Sequence, residues 1–178
     1  MKGSLRKDGQ AATDRERLST GQKPHTIVLS CSDSRVPPEI VFDQKLGEIF
    51  VVRTAGETLD PTSIASIEYA LEHLGARLIL VMGHSSCGAV KAAHSTMDGS
   101  DAGSPNLNKL VADIHPRIAA YKGMTPSKGY LDESWANARG VAKDLMGRSQ
   151  IIANKLKAGE AKIQVALYNL ATGKVDFE

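Results

Sequence analysis

The sequence predicts an α/β fold: a mainly parallel four-stranded sheet flanked by helices, with a short extended piece at its C-terminal end. Short aliphatic runs alternate with helical patterns along the chain, which is typical of a parallel sheet. The run at 77–82 is almost continuously aliphatic, as expected for a strand covered on both faces. At 178 residues the chain suits one globular core, so 25–178 are expected to form a single α/β domain behind an N-terminal arm or short helix at 1–24.

Each element follows from local signals. The strands are predicted at 26–30, 48–52, 77–82 and 162–169, with the extended piece at 174–177. The helices are predicted at 61–74, 88–94, 107–120, 133–146 and 149–157. Pro37 and Pro38 exclude a helix interior after the first strand. Asp60 and Pro61 mark the start of the first long helix and Gly75 its end, while residues 97–106 read as a flexible loop.

Composition narrows the function classes. The net charge is only +2, and the 22 basic and 20 acidic residues are interspersed, so no basic stripe indicates a nucleic-acid partner. No apolar run approaches the roughly 20 residues that cross a bilayer, and the N-terminal residues lack the apolar stretch of a secretory signal. We therefore expect a cytoplasmic protein with neither nucleic-acid nor membrane partners.

The two cysteines carry the strongest chemical signal. Cys31 follows the first strand and begins Cys-Ser-Asp-Ser-Arg, and Cys87 follows the third strand and ends His-Ser-Ser-Cys. If those strands are neighbours, which requires a non-sequential strand order, their ends place both sulfurs, His84 and Asp33 around one point. Thiolate, imidazole and carboxylate ligands together suit zinc.

Simpler interpretations compete with a metal site. A His-x-x-Cys pair alone is weak, since buried cysteines and lone histidines are often structural. A disulfide is disfavoured in a protein expected to be intracellular. Asp33 and Arg35 alone would read as a loop-end salt bridge. The combination of both motifs, each directly after an apolar run, favours metal binding.

The chain resembles the β-class carbonic anhydrases. The resemblance lies in Cys-Ser-Asp-Ser-Arg-Val-Pro (31–37), Gly-Glu-Ile-Phe-Val-Val-Arg-Thr-Ala-Gly (47–56), Ile-Glu-Tyr-Ala (67–70), Gly-His-Ser-Ser-Cys-Gly (83–88) and Tyr-Asn-Leu-Ala-Thr-Gly-Lys-Val (168–175). It implies a zinc ion held by Cys31, His84 and Cys87. It also implies that Asp33 is either a fourth ligand in a closed state or the partner of Arg35, with water or hydroxide then filling the open position.

The resemblance implies further that Gln22, Phe50 and Tyr69 line the substrate pocket. Two departures stand out. Thr54 replaces the asparagine of the Arg-Asn-Ala-Gly found in many members. Val28 stands where the bicarbonate-inhibited subgroup has tryptophan, so that regulation is not expected.

The expected activity is the reversible hydration of CO₂ to bicarbonate and a proton through a zinc-bound hydroxide, that of a carbonate dehydratase. Asp33 would accept a hydrogen bond from the hydroxide's proton while Arg35 holds the carboxylate off the metal. Two alternatives stay open: a hydrolase of carbonyl sulfide or carbon disulfide on the same site, and a noncatalytic zinc-stabilised assembly protein. Because strand two or strand four would leave an unprotected sheet edge, we expect a homodimer or a dimer of dimers.

Overall fold

The computed structural model describes residues 12–178. Its strands are β1 (Thr26–Cys31), β2 (Ile49–Thr54), β3 (Leu78–His84), β4 (Lys162–Asn169) and β5 (Lys174–Phe177). Its α-helices are α1 (Ala12–Leu18), α2 (Pro38–Val41), α3 (Pro61–His73), α4 (Gly88–Ser95), α5 (Pro105–Ile114), α6 (Leu131–Arg148) and α7 (Gln150–Lys157). The expected N-terminal arm is therefore described only from residue 12; its helix α1 has no buried residue, and 1–11 lie outside the described residues.

The five strands form one sheet in the order β2-β1-β3-β4-β5. The first four are parallel, and β5 pairs antiparallel with β4. The predicted mainly parallel α/β sheet is confirmed, and the C-terminal extended piece is its fifth strand. The expectation that β4 is a possible edge was wrong, because β5 pairs with it; β2 does lie at an edge.

Core packing follows the alternation of side chains along each strand. On one face, Ile27, Leu29 and Val81 belong to the cluster that also holds Ile67 of α3 and Val141 of α6. On the other face a smaller cluster gathers Val28, Leu80, Met82 and Ala166, with Phe42 packed against it. Every residue of β1 is buried, so its last side chain, Cys31, comes off a rigid central strand.

Helix ends follow the signals in the sequence. Asp60 caps α3 in a capping box with Ser63, and Gly75 after the helix has φ +73°. Helix α5 begins at Pro105, two residues before the predicted start, because the Ser104 side chain accepts a hydrogen bond from the Leu107 N–H and Pro105 fits the first helical position. Within residues 12–178 no helix is long and apolar enough to cross a membrane.

Candidate metal centre

Three side chains from separate segments converge at the carboxyl end of the sheet. Cys31 ends β1, His84 ends β3, and Cys87 is the N-cap residue of α4. Their ligand atoms all lie within 4.8 Å of one another, and the two sulfurs are 4.0 Å apart. All three residues are buried. The adjacency of β1 and β3 that the sequence argument required is therefore present, and it forms the cluster.

The His84 ring is oriented as a ligand. Its Nδ1 lies 2.9 Å from the carbonyl oxygen of Ser85. A carbonyl can only accept, so Nδ1 carries the proton and Nε2 keeps its lone pair. That Nε2 is buried without a hydrogen-bond partner among the described residues. A buried orphan nitrogen is costly, and a metal ion between it and the two sulfurs would satisfy it.

The Cys31 sulfur lies where its thiolate form is stabilised. Hydrogen bonding with Cys87 is the main cause that lowers the pKa of Cys31 to about 4, and the Gly56 N–H, 3.3 Å from the Cys31 sulfur, adds to it. The same sulfur pairing, with burial, raises the pKa of Cys87. Without a metal, one proton is thus shared between two sulfurs. A cation bound there would displace it.

The loop that carries His84 and Cys87 is fixed by the C-terminal half of the chain. Ser86 has φ +56°, and its N–H donates to the Gly129 carbonyl at 2.6 Å. The Ser85 N–H donates to the Tyr168 carbonyl, and the Ser85 hydroxyl accepts from the Leu170 N–H at 3.0 Å. The tight turn at Ser86 also lets α4 begin directly at the sulfur of Cys87, where the helix dipole favours a thiolate.

Asp33 lies beside the donors and is held by arginine. Arg35 Nε and Nη2 donate to its two carboxylate oxygens at 2.8 and 2.6 Å, and the Arg35 N–H adds a bond of 3.0 Å. This pairing holds the pKa of Asp33 well below its usual range. Oδ2 is 3.9 Å from His84 Nε2, so the carboxylate borders the cluster. Arg53 braces the backbone beneath it through the carbonyls of Cys31 and Asp33, at 2.9 and 2.6 Å.

The three predicted pocket residues lie on separate parts of the fold. Gln22 is exposed before β1, and Tyr69 on α3 is 49% exposed with its ring 5.2 Å from that of His73. Phe50 packs against the core and pairs with Ile27. Ile27 is four residues before Cys31, about 13 Å back along the strand. The five metal and catalytic candidates thus lie together, whereas Phe50 lies farther back along the sheet.

Two buried polar residues next to the cluster were missed by the sequence analysis. Glu57 is 1% exposed and Asn137 is fully buried. Asn137 lies in the buried stripe of α6, beside Ala138 and Val141, and a polar residue in an apolar stripe is a signal for a buried hydrogen-bonded role. Glu57 directly follows the Arg-Thr-Ala-Gly segment, but its inward direction depends on a left-handed φ of +44° that the sequence does not announce.

The fold and donor set together define a metal-binding α/β protein, with two thiols and an imidazole at a strand switch point. Residues 26–175 match the family described as carbonic anhydrase. The chain is 40% identical over 168 residues to a carbonic anhydrase of Mycolicibacterium smegmatis, covering 94% of this chain and 81% of that protein.

Solved structures agree with that match. A Coccomyxa β-carbonic anhydrase in complex with acetazolamide superposes with a TM-score of 0.80 at 25% identity, over 91% of this chain and 75% of that one. A structure from a study of two tetrameric β-carbonic anhydrases of Sordaria macrospora shares the fold, with a TM-score of 0.79 and 22% sequence identity. The match covers 91% of this chain and 84% of that one. The chain belongs to the β-class carbonic anhydrase family.

Proposed function

We propose that this protein is a zinc-dependent carbonate dehydratase that interconverts CO₂ and bicarbonate. The observation that carries the proposal is the buried cluster of Cys31, His84 and Cys87 with the Asp33–Arg35 pair at its border, in a member of the carbonic anhydrase family. A purely structural zinc site closes its coordination with four protein ligands. Here the carboxylate of Asp33, which borders the cluster, is instead paired with Arg35.

Zinc is the metal that the donor atoms suit best. Two thiolates and one neutral imidazole form a soft, nitrogen-containing set, whereas calcium and magnesium require oxygen ligands. The three donors leave one tetrahedral position for a non-protein group, as catalytic zinc sites do. Bound there, zinc would supply Lewis acidity that turns water into a nucleophile.

Asp33, Arg35 and Arg53 would orient the attacking oxygen toward CO₂. The bidentate bond to Arg35 and the bond to the Arg35 N–H keep Asp33 ionised and fix the direction of its oxygens. Asp33 Oδ2 can then accept the hydrogen bond of the attacking oxygen, so that a lone pair of that oxygen stays directed at the CO₂ carbon. Arg53 fixes the carbonyls of Cys31 and Asp33, and thereby the spacing between sulfur and carboxylate.

We also propose that the active form is a homodimer or a dimer of dimers, and that Gln22, Phe50 and Tyr69 line the substrate pocket. The edge position of β2 in the sheet and the half-exposed Tyr69 support assembly along this edge. Since Phe50 lies about 13 Å back from Cys31 along the strands, a pocket role for these residues fits a site completed by a second copy.

Residues 25–178 would be the catalytic domain, with 1–24 as an arm. The free cysteines, with sulfurs 4.0 Å apart, are consistent with a reducing, cytoplasmic location. The alternatives, hydrolysis of carbonyl sulfide or carbon disulfide and a noncatalytic assembly role, are not favoured by the family match or by any contact that the described residues make in the site.

Stopped-flow CO₂ hydration on protein with verified zinc content tests the proposal. The rate should rise through the alkaline range, because two thiolate charges cancel that of the metal and leave the bound water less acidic than beside three histidines. The Cys31→Ser and Cys87→Ser variants should lose zinc and hydration together. Zinc-replete protein that hydrolyses carbon disulfide but leaves CO₂ unchanged would contradict the assignment.

A further inference from the structure

The backbone of Gly56 is hydrogen-bonded on both sides of its Cα, beside the candidate metal centre. Its N–H donates to the Cys31 sulfur at 3.3 Å, and its carbonyl accepts from Asn137 Nδ2 at 2.9 Å. Gly56 has φ +65°, and a Cβ there would lie 2.8 Å from Ala89 Cβ and 2.9 Å from Ile114 Cδ1. There is therefore no room for a side chain at Gly56, and a hydrogen bond fixes its backbone on each side.

Asn137 is itself held in one orientation. Its Nδ2 also donates to Glu57 Oε1 at 3.1 Å, while its Oδ1 faces Arg117 Nη1 at 3.5 Å. Arginine can only donate, so the amide oxygen belongs on the Arg117 side and the amide nitrogen on the Gly56 side. The Arg117 side chain is 4% exposed and paired with one aspartate on α5 and one on α6. The amide that holds Gly56 is thus anchored in a charged buried network.

Glu57 occupies a costly position. A non-glycine residue at φ +44° is strained by about 1–2 kcal/mol, and the side chain is 1% exposed. Its Oε1 would be 3.3 Å from a Cβ on Gly83, the neighbour of His84. Its Oε2 has no hydrogen-bond partner among the described residues. Packing alone would be served by an apolar side chain, so the carboxyl group suggests a role beside the metal donors.

The ionisation of Glu57 is compatible with that role. Burial, with a smaller contribution from Cys31, raises the pKa of Glu57 to about 8. A neutral carboxyl group keeps one oxygen that can only accept. It still offers Oε1 as the acceptor that keeps the Asn137 amide nitrogen in place.

We propose that Asn137 is a positioning residue, oriented by the acceptor oxygen of Glu57, that holds the Gly56 N–H on the Cys31 sulfur and so sets the strength of Cys31 as a metal donor. The proposal rests on the zinc site of the proposed function. An N–H donor stabilises the thiolate, the form of cysteine that binds metal, so its loss should weaken the binding of the metal by Cys31. It also leaves more charge on the sulfur, which should move sulfur-to-metal charge transfer to lower energy.

The test compares four variants: Asn137→Ala, Asn137→Asp, Glu57→Gln and Ser134→Ala. Asn137→Asp keeps the size of the side chain but lacks the amide donor. Glu57→Gln keeps an acceptor oxygen for Asn137. Ser134→Ala is the matched control, because Ser134 is equally buried on α6, one turn earlier, and its hydroxyl has no partner among the described residues. The zinc proteins are challenged with a chelator, and the cobalt(II) proteins are compared by their sulfur-to-cobalt absorption band.

Both Asn137 variants should release zinc about tenfold faster or more, with the cobalt band shifted to lower energy. Glu57→Gln and Ser134→Ala should stay close to wild type. If the Asn137 variants unfold more easily while zinc release and the band match those of Ser134→Ala, the role is only structural and the proposal is overturned. If Asn137→Ala does not fold, the comparison of Asn137→Asp with Ser134→Ala decides between the two outcomes. A wild-type protein inactive on CO₂ would refute the proposed function, whereas zinc release and the band would still decide this inference.

Discussion

Replacing Gly56 with alanine should destabilise the protein more than any conformational preference of glycine explains. The first contribution is the backbone, since a left-handed φ of +65° costs an L-residue about 1–2 kcal/mol. The second is steric, because the new methyl group would lie 2.8 Å from Ala89 Cβ and 2.9 Å from Ile114 Cδ1. Such overpacking costs roughly 1–3 kcal/mol. The expected loss in free energy of unfolding is therefore about 2–5 kcal/mol.

Gly75 provides the matched control for the backbone contribution. It has φ +73°, close to that of Gly56, but a methyl group there would have no neighbouring atom of residues 12–178 within 4 Å. Gly75→Ala should therefore lose only about 1–2 kcal/mol. Urea unfolding of both zinc-loaded variants measures the difference. Equal losses would show that the collision at Gly56 is relieved without cost and would refute the packing argument.

Three further predictions concern charge and assembly. Arg35→Ala should keep zinc but lose CO₂ hydration as Asp33 closes onto the metal, and Asp33→Ala should lose on the order of 10²-fold; wild-type rates in both would reduce the pair to a structural salt bridge. Because folding raises the pKa of Glu57 from 4.5 to about 8, metal-free wild type should lose up to about 5 kcal/mol of stability relative to Glu57→Gln as the pH rises from about 4.5 to 8. Parallel pH dependences in urea unfolding with chelator present would contradict this. Light scattering should give a dimer or larger assembly, and a mass near the 19.0 kDa of one chain at micromolar concentration would exclude it.

The strands were predictable because their signal is local. The runs at 162–169 and 174–177 coincide with β4 and β5, and the alternation of strands and helices was enough to predict a mainly parallel sheet. The pairing of β5 with β4 was not predictable from a four-residue run, since pairing depends on which edge the chain reaches after the turn at Gly173. For the same reason β4 was wrongly considered a possible edge.

The site was predictable where residue chemistry and strand ends coincide, as for Cys31, His84 and Cys87. Its supporting contacts were not. Glu57 and Ser86 have left-handed backbone conformations, which the sequence does not indicate because neither residue is glycine. Asn137 is hydrogen-bonded to Gly56 although the two are 81 residues apart in the sequence. Such contacts depend on tertiary packing, which overrides local preference.

The bracing of the loop at 84–87 links the metal centre to the order in which the chain is made. All three candidate metal donors have been synthesised once Cys87 is in place, yet the bonds that fix the loop carrying His84 and Cys87 come from Gly129, Tyr168 and Leu170. During synthesis the candidate donors are therefore present long before the residues that fix the loop at 84–87. Tight zinc binding should therefore require that β4 has been synthesised and has paired with β3. Zinc occupancy would then indicate that the C-terminal half is folded, and also that the ligands are intact.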